Sequence, residues 1–180
     1  MGAGTPWVRG DFDRPTLDVA QDLLGARLVR TVPGEAPQTV VLTETEAYVS
    51  GDPANHAFLG PNRKNWTMFT GPGHLYVYPI HRYFCANVTT RPGEAVLLRS
   101  AVPLPPLQAR LGGPGLLCLA LNLTRAQDGM DLVASEEVRV VRREGAPPRF
   151  RVTPRIGIHR HREAPLRFVI DEEWVGSRSR

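Results

Sequence analysis

Glu44, Glu46 and Tyr48 alternate in the segment Thr43-Glu44-Thr45-Glu46-Ala47-Tyr48. Residues two apart on a strand point the same way, so these three would share one face with Val40 and Leu42. A carboxylate at the end of an apolar face is costly unless it has a partner or a task. The plain reading is a strand-end ion pair. The chemical reading is a general base within reach of a bound water, with Glu46 the first candidate and Glu44 its rival. Arg99 follows an apolar run, residues 95–98, and an arginine in such surroundings must be paired. It either bridges to a carboxylate such as Glu44 or helps hold a water beside Glu46, and both roles are compatible.

Tyr48, His56, Tyr78 and Asn87 supply stacking surfaces and an edge that both donates and accepts hydrogen bonds. Stacking on an aromatic face contributes about 1–3 kcal/mol per base. Together they would form a hollow for a flat, electron-rich ring, such as a nucleobase turned out of its stack, bordered by Glu46. Tyr76 and Tyr83 read as cross-strand packing. Pro79-Ile80-His81-Arg82 reads as a four-residue hairpin tip. It is either a simple turn or a wedge for a nucleic-acid groove, with His81, or else Ile80, as the inserting side chain. His159 and His161 form an HxH in an arginine-rich stretch without further ligands nearby, so no metal site is expected and the loop reads as solvated and basic.

The elements that position these groups follow from periodicity and punctuation. A loose arm is expected over residues 1–12 and a single domain over 13–180. Residues 15–24 read as a helix, with proline in the first turn and Gly25 to stop it. Strands are expected over 26–31, 38–48, 74–78, 83–90, 95–101, 137–143 and 166–170, and a short buried helix over 116–121. Residues 49–64 have loop composition. Without a regular βαβ rhythm the class is α+β: one compact domain, a mixed but mostly antiparallel curved sheet with flanking helices and a protruding β-hairpin.

With 180 residues, 42% of them hydrophobic, the chain can fill one good core. It has no apolar run long enough for a membrane span and no apolar leader at its start. The net charge is +4, and Lys64 is the sole lysine. Arginine-borne charge suits a polyanion but equally reflects codon usage. Arg63, Lys64 and Arg82 are the candidate phosphate contacts. Cys85 and Cys118 make neither CxxC nor a metal spacing, which fits two core thiols in a reducing cytoplasm.

The motifs ETEAY (44–48), His56, Met68-Phe69, PGHLYVY (72–78), YFCAN (83–87), LLR (97–99), RIGI (155–158) and PLRF (165–168) stand in order. Over roughly residues 14–175 the chain resembles the alkyladenine (3-methyladenine) DNA glycosylase family. The resemblance implies hydrolysis of the N-glycosidic bond of alkylated or deaminated purines in double-stranded DNA, by base flipping and without metal or organic cofactor. It implies Glu46 as general base, Arg99 as water holder, and Tyr48, His56 and Tyr78 as the stacking pocket. Asn87 would disfavour guanine, and His81 would fill the gap in the duplex. The hairpin tip departs from the family, being one residue shorter and lacking its usual tyrosine. A monomer working on nucleoid DNA in a bacterial cytoplasm is expected.

Two other classes share some of these features. A catalytically silent damage-binding module would carry the same basic loops and rings, but gains nothing from a desolvated carboxylate. A sugar hydrolase would use Glu44 and Glu46 as acid and base. Their separation of about 7 Å along a strand suits that chemistry, but one strand poorly places them on opposite sides of a sugar.

Overall fold

The structure, a computed structural model, describes residues 4–171 and 174. The outermost parts of the expected arm and domain, residues 1–3, 172–173 and 175–180, lie outside the described residues. Among the described residues the α-helices are short: α1 (Arg9–Phe12), α2 (Thr16–Asp22) and α3 (Pro114–Ala120). The strands are β1 (Arg27–Arg30), β2 (Gln38–Tyr48), β3 (His74–Ile80), β4 (Tyr83–Thr89), β5 (Ala95–Leu104), β6 (Met130–Asp131), β7 (Val138–Val141), β8 (Phe150–Thr153) and β9 (Arg167–Ile170). The architecture is the expected α+β domain. The pairings are antiparallel in the order β6-β3-β4-β5-β2-β1-β7, with β9 on β2 and β8 on β9. No described helix is long and apolar enough to cross a membrane.

The expected strand over 38–48 forms with those bounds, but its faces differ from a simple alternation. Val40 and Leu42 lie in the core, and so does Ala47. The inward parity has therefore changed between Leu42 and Ala47. The cause is a paired irregularity: the β2–β5 register shifts between Leu42 and Glu44, and again between Glu44 and Thr45. On β5 the core-facing set likewise changes, from Ala101 to Leu98 and Val96. A bulge re-aims side chains in this way. Glu44, Glu46 and Tyr48 thus share a face, but it is opposite to that of Val40 and Leu42. The same shift changes the neighbours of β2: Gln38 to Val41 pair with β1, whereas Glu44 to Glu46 pair with β9.

α2 and α3 cover the core face, α2 against β2 and β5, α3 against β4 and β5. Thr45 ties β2 to α2 by donating its hydroxyl to the Ala20 carbonyl at 2.8 Å. Gly25, at φ 79°, ends that helical segment in a backbone conformation that costs other residues more. Gly115 lets α3 approach the hairpin: a Cβ there would lie 2.9 Å from Cβ of Tyr83.

The arm expected to be loose is anchored over its described residues. Pro6 bridges to Val141, and the Trp7 amide donates to the Val140 carbonyl at 2.8 Å. Trp7 and Phe12 are buried with ring centroids 5.0 Å apart. Arg9 donates to the Pro72 carbonyl and pairs with Asp131. Local composition hides this because the anchors lie on β7 and β6, far along the chain. Phe12→Ala is therefore expected to destabilise the fold by about 3–5 kcal/mol in urea unfolding; a change below about 0.5 kcal/mol would mark a free arm.

Candidate active site

Tyr48, His56, Tyr78 and Asn87 converge on one hollow together with Asn55, Met68, Tyr76 and Ala95. The register explains this. Tyr76 faces Asn87 and Tyr78 faces Cys85 across β3 and β4, while Ala95 lies opposite Tyr48 across β5 and β2. His56 comes from the loop after β2. Its Nδ1 is hydrogen-bonded to the Tyr76 hydroxyl at 3.0 Å, and its ring meets Tyr78 edge-on at 4.4 Å between centroids. Tyr76, expected to be mere packing, is buried and holds His56. The side-chain amide of Asn87 donates to the Tyr76 carbonyl at 3.1 Å. The hollow has about 20 Å³ of free space, room on that scale for about one water but not for a purine. His56, Tyr76 and Tyr78 pack ring on ring, and a planar ligand needs the hollow to widen.

Glu46 lies one side chain behind this hollow instead of on its wall. It is fully buried. Oε2 accepts the Tyr48 hydroxyl at 3.0 Å and Oε1 accepts the Ile156 amide at 3.0 Å. Arg99 Nε stands 3.6 Å from Oε1. Tyr48 is therefore the link between carboxylate and hollow. Glu44, the rival, has a different environment: Arg99 Nε and Arg167 Nε each approach its Oε1 to 2.5 Å. Glu44 is thus occupied by two ion pairs and does not line the hollow, an arrangement that does not match the acid–base pair of a sugar hydrolase.

Burial raises the phenol pKa of Tyr48, reinforced by the neighbouring Glu46 charge. Burial likewise raises Tyr78, and pushes Tyr76 up to about 12. These hydroxyls remain neutral donors. Desolvation lowers the His56 pKa, so its imidazole is uncharged near pH 7. The walls of the hollow are thus polarizable and carry no cation of their own.

A second group, missed in the sequence, stands behind Tyr48. The Arg155 guanidinium is fully enclosed, with Cζ 4.6 Å from the Tyr48 ring centroid. Its Nη1 donates to Asp52 Oδ2 and, at 3.1 Å, to the Ala47 carbonyl. Asp52 Oδ1 also meets His161 Nδ1 at 3.1 Å. His161 of the HxH thus caps a buried ion pair and is not merely solvated. The only prior signal was the RIGI segment itself; nothing local distinguishes Arg155 from its arginine-rich surroundings. No group of three or more His, Cys, Asp or Glu placed to hold a metal occurs among the described residues.

The remaining candidates lie around the mouth. A more open groove of about 520 Å³ is lined by His56, Tyr78, Lys64, Asn65, Pro79 and Arg125, among others. Lys64 therefore borders the approach to the hollow, closer than its loop position implied. Arg63 is exposed nearby in the chain. The hairpin tip has two residues, not four, because Pro79 pairs with Phe84 and Ile80 with Tyr83. That leaves His81, at φ 51°, and Arg82 exposed at the turn, with Ile80 43% exposed beside them. Arg82 lies over the Tyr83 ring at 5.2 Å.

Comparison with known proteins gives this fold and site their class. Residues 10–174 match the family model described as methylpurine-DNA glycosylase (MPG). The chain belongs to that family, and its enzyme class is that of the DNA-3-methyladenine glycosylases. Its relatives include proteins assigned as 3-methyladenine DNA glycosylases. One from Wolbachia pipientis wMel is 40% identical, covering 93% of each chain. One from Rhizobium etli is 36% identical over 94% of this chain and 89% of its own. One from the Methanocella arvoryzae strain is 41% identical over 88% of each.

The Asp52–Arg155 pair has a pH signature. Burial alone would raise the Asp52 pKa, but hydrogen bonds from Arg155, the Ala54 amide and His161 outweigh it and hold the carboxyl below its ordinary value of 3.8. A depressed carboxyl contributes stability that is fully present above the unfolded value and is lost as pH falls through the folded one. Asp52→Asn should therefore cost about 3–5 kcal/mol at pH 7, the scale of a broken buried pair. In urea unfolding the gap to wild type should narrow as pH drops below about 4. A gap independent of pH would remove Asp52 from the acid sensitivity of the fold.

Proposed function

We propose that the enzyme releases alkylated purines from duplex DNA by turning the damaged nucleotide out of the helix and into the ring-lined hollow. The observation that carries this reading is the fully buried Glu46 accepting the hydroxyl of Tyr48, which lines one hollow with His56, Tyr78 and Asn87. Flipping costs a few kcal/mol and least for a damaged base. Base entry between Tyr48 and the His56–Tyr78 pair moves the Tyr48 hydroxyl off Glu46 and frees a carboxylate oxygen for water. Glu46 takes the water proton while the water oxygen attacks the anomeric carbon. The N-glycosidic bond breaks with its electron pair going to the purine nitrogen. Arg99, bound to both Glu44 and Glu46, orients the carboxylate.

The neutral aromatic walls favour a cationic methylated purine through cation–π attraction. Such a base is also a good leaving group, which becomes neutral as it departs. A neutral deaminated purine needs a proton on the leaving nitrogen, and the pocket phenols, with raised pKa values, are weak acids. We therefore rank alkylated purines above deaminated ones as substrates. Asn87, pinned to the Tyr76 carbonyl, cannot swing aside for an exocyclic amine, which supports a role in excluding guanine. His81 at the exposed turn is the proposed wedge, with Ile80 the alternative. Arg63, Lys64 and Arg82 are proposed to contact phosphates. On the same reading the enzyme is a monomer working on nucleoid DNA in a bacterial cytoplasm.

Glu46→Gln should keep lesion-duplex binding while single-turnover base release falls by about 10²-fold or more, the scale for losing a general base. Near-normal release would move the role elsewhere. The reaction is proposed to be monofunctional, with water and not an amine as nucleophile. Lys64 borders the groove, which makes the trapping experiment direct. Borohydride added during turnover should yield no protein–DNA adduct; an adduct lost in Lys64→Met would establish an imine route.

A further inference from the structure

We infer that Arg155 is a positioning residue that fixes the geometry between Tyr48 and Glu46; the inference rests on the roles proposed above for those two residues. Arg155 and Ile156 meet the three consecutive residues Glu46, Ala47 and Tyr48 one by one. The Ile156 amide donates to the Glu46 carboxylate at 3.0 Å. Arg155 Nη1 donates to the Ala47 carbonyl at 3.1 Å. The Arg155 guanidinium covers the Tyr48 ring at 4.6 Å. One dipeptide thus holds both the carboxylate and the stacking ring.

Hydrogen bonding accounts for only part of this placement, through Nη1. Arg155 is enclosed, yet its Nε and Nη2 have no hydrogen-bond partner among the described residues. Buried donors left idle are unfavourable, and a buried cation needs strong compensation. Asp52 supplies the charge compensation, while the flat guanidinium lies over a ring, a geometry that lysine does not reproduce. Asp52 also accepts the Ala54 amide and so belongs to the loop that carries His56. Arg155 therefore references the His56 loop and the Glu46–Tyr48 strand end to one rigid group. A carboxylate misplaced by about 1 Å costs on the order of 10²-fold in rate.

The test is Arg155→Lys, which retains a cation for Asp52 and so protects folding. With four tyrosines in the chain, spectra of protein carrying ¹³C-labelled tyrosine rings resolve Tyr48, assigned through Tyr48→Phe. In Arg155→Lys the Tyr48 ring signal should move or broaden, while that of Tyr83, at the hairpin, stays in place. Single-turnover base release from a duplex bearing one N-alkylated purine should fall about 10- to 100-fold, with lesion-duplex affinity within about fivefold of wild type. An unmoved Tyr48 signal overturns the proposal. So does a moved signal with release within twofold of wild type. If wild type itself releases no base, the proposed function fails, and the Tyr48 signal alone then judges whether Arg155 holds that ring.

Discussion

A carboxylate removed from water is the constraint around which this molecule is arranged. Glu46 has no exposed surface, and an ionised group in that position requires donors on its oxygens. Those donors come from three parts of the chain: the Tyr48 hydroxyl on the same strand, the Ile156 amide from the loop between β8 and β9, and Arg99 from β5 at longer range. Each has its own support. Tyr48 is backed by Arg155, Arg99 is anchored by Glu44, and Glu44 is held in turn by Arg167 on β9. The stacking rings sit on the far side of Tyr48, so one phenol connects the polar network to the aromatic one. In the proposed chemistry that phenol has two tasks, covering the base when the hollow is closed and stacking on the ligand when it is open.

The paired irregularity of β2 and β5 makes this possible. An uninterrupted alternation would have placed Glu46 on the side of Val40 and Leu42, under α2. The shift near Thr43 and Arg99 turns the acidic half of β2 outward and leaves Thr45 and Ala47 facing inward. It also frees the edge of β2 from β1, so that β9 can bring Arg167 beside Glu44. Strand irregularities are frequent beside functional sites for this reason.

Much of the frame was legible in the sequence. The limits of β2 followed from a long alternation between turn residues, and Tyr76, Tyr78, Cys85 and Asn87 fell on facing strands because a hairpin fixes register. The four candidate ring and amide residues therefore converge as expected. The shift in β2 was not legible, because a bulge is a property of two strands and their packing, not of one string of residues. The two-residue tip escaped because Pro79 accepts a place in an edge hairpin that proline normally discourages. Arg155 and Asp52 escaped for a different reason. They are 103 positions apart, and in an arginine-rich loop a buried guanidinium looks like any solvated one. Trp7 and Phe12 likewise find their anchors on strands that come much later in the chain.

Long separations have a consequence for biosynthesis. The amide that satisfies Glu46 lies 110 residues downstream of it, and Arg167 lies 123 downstream of Glu44. Chains emerge from the ribosome at about 5–20 residues per second. The growing polypeptide therefore spends seconds with the β2 acids lacking their last partners, Ile156 and Arg167. During that interval it has strands and aromatic rings but no assembled centre. The set of contacts around Glu44 and Glu46 is complete only once the last strand, β9, has been made.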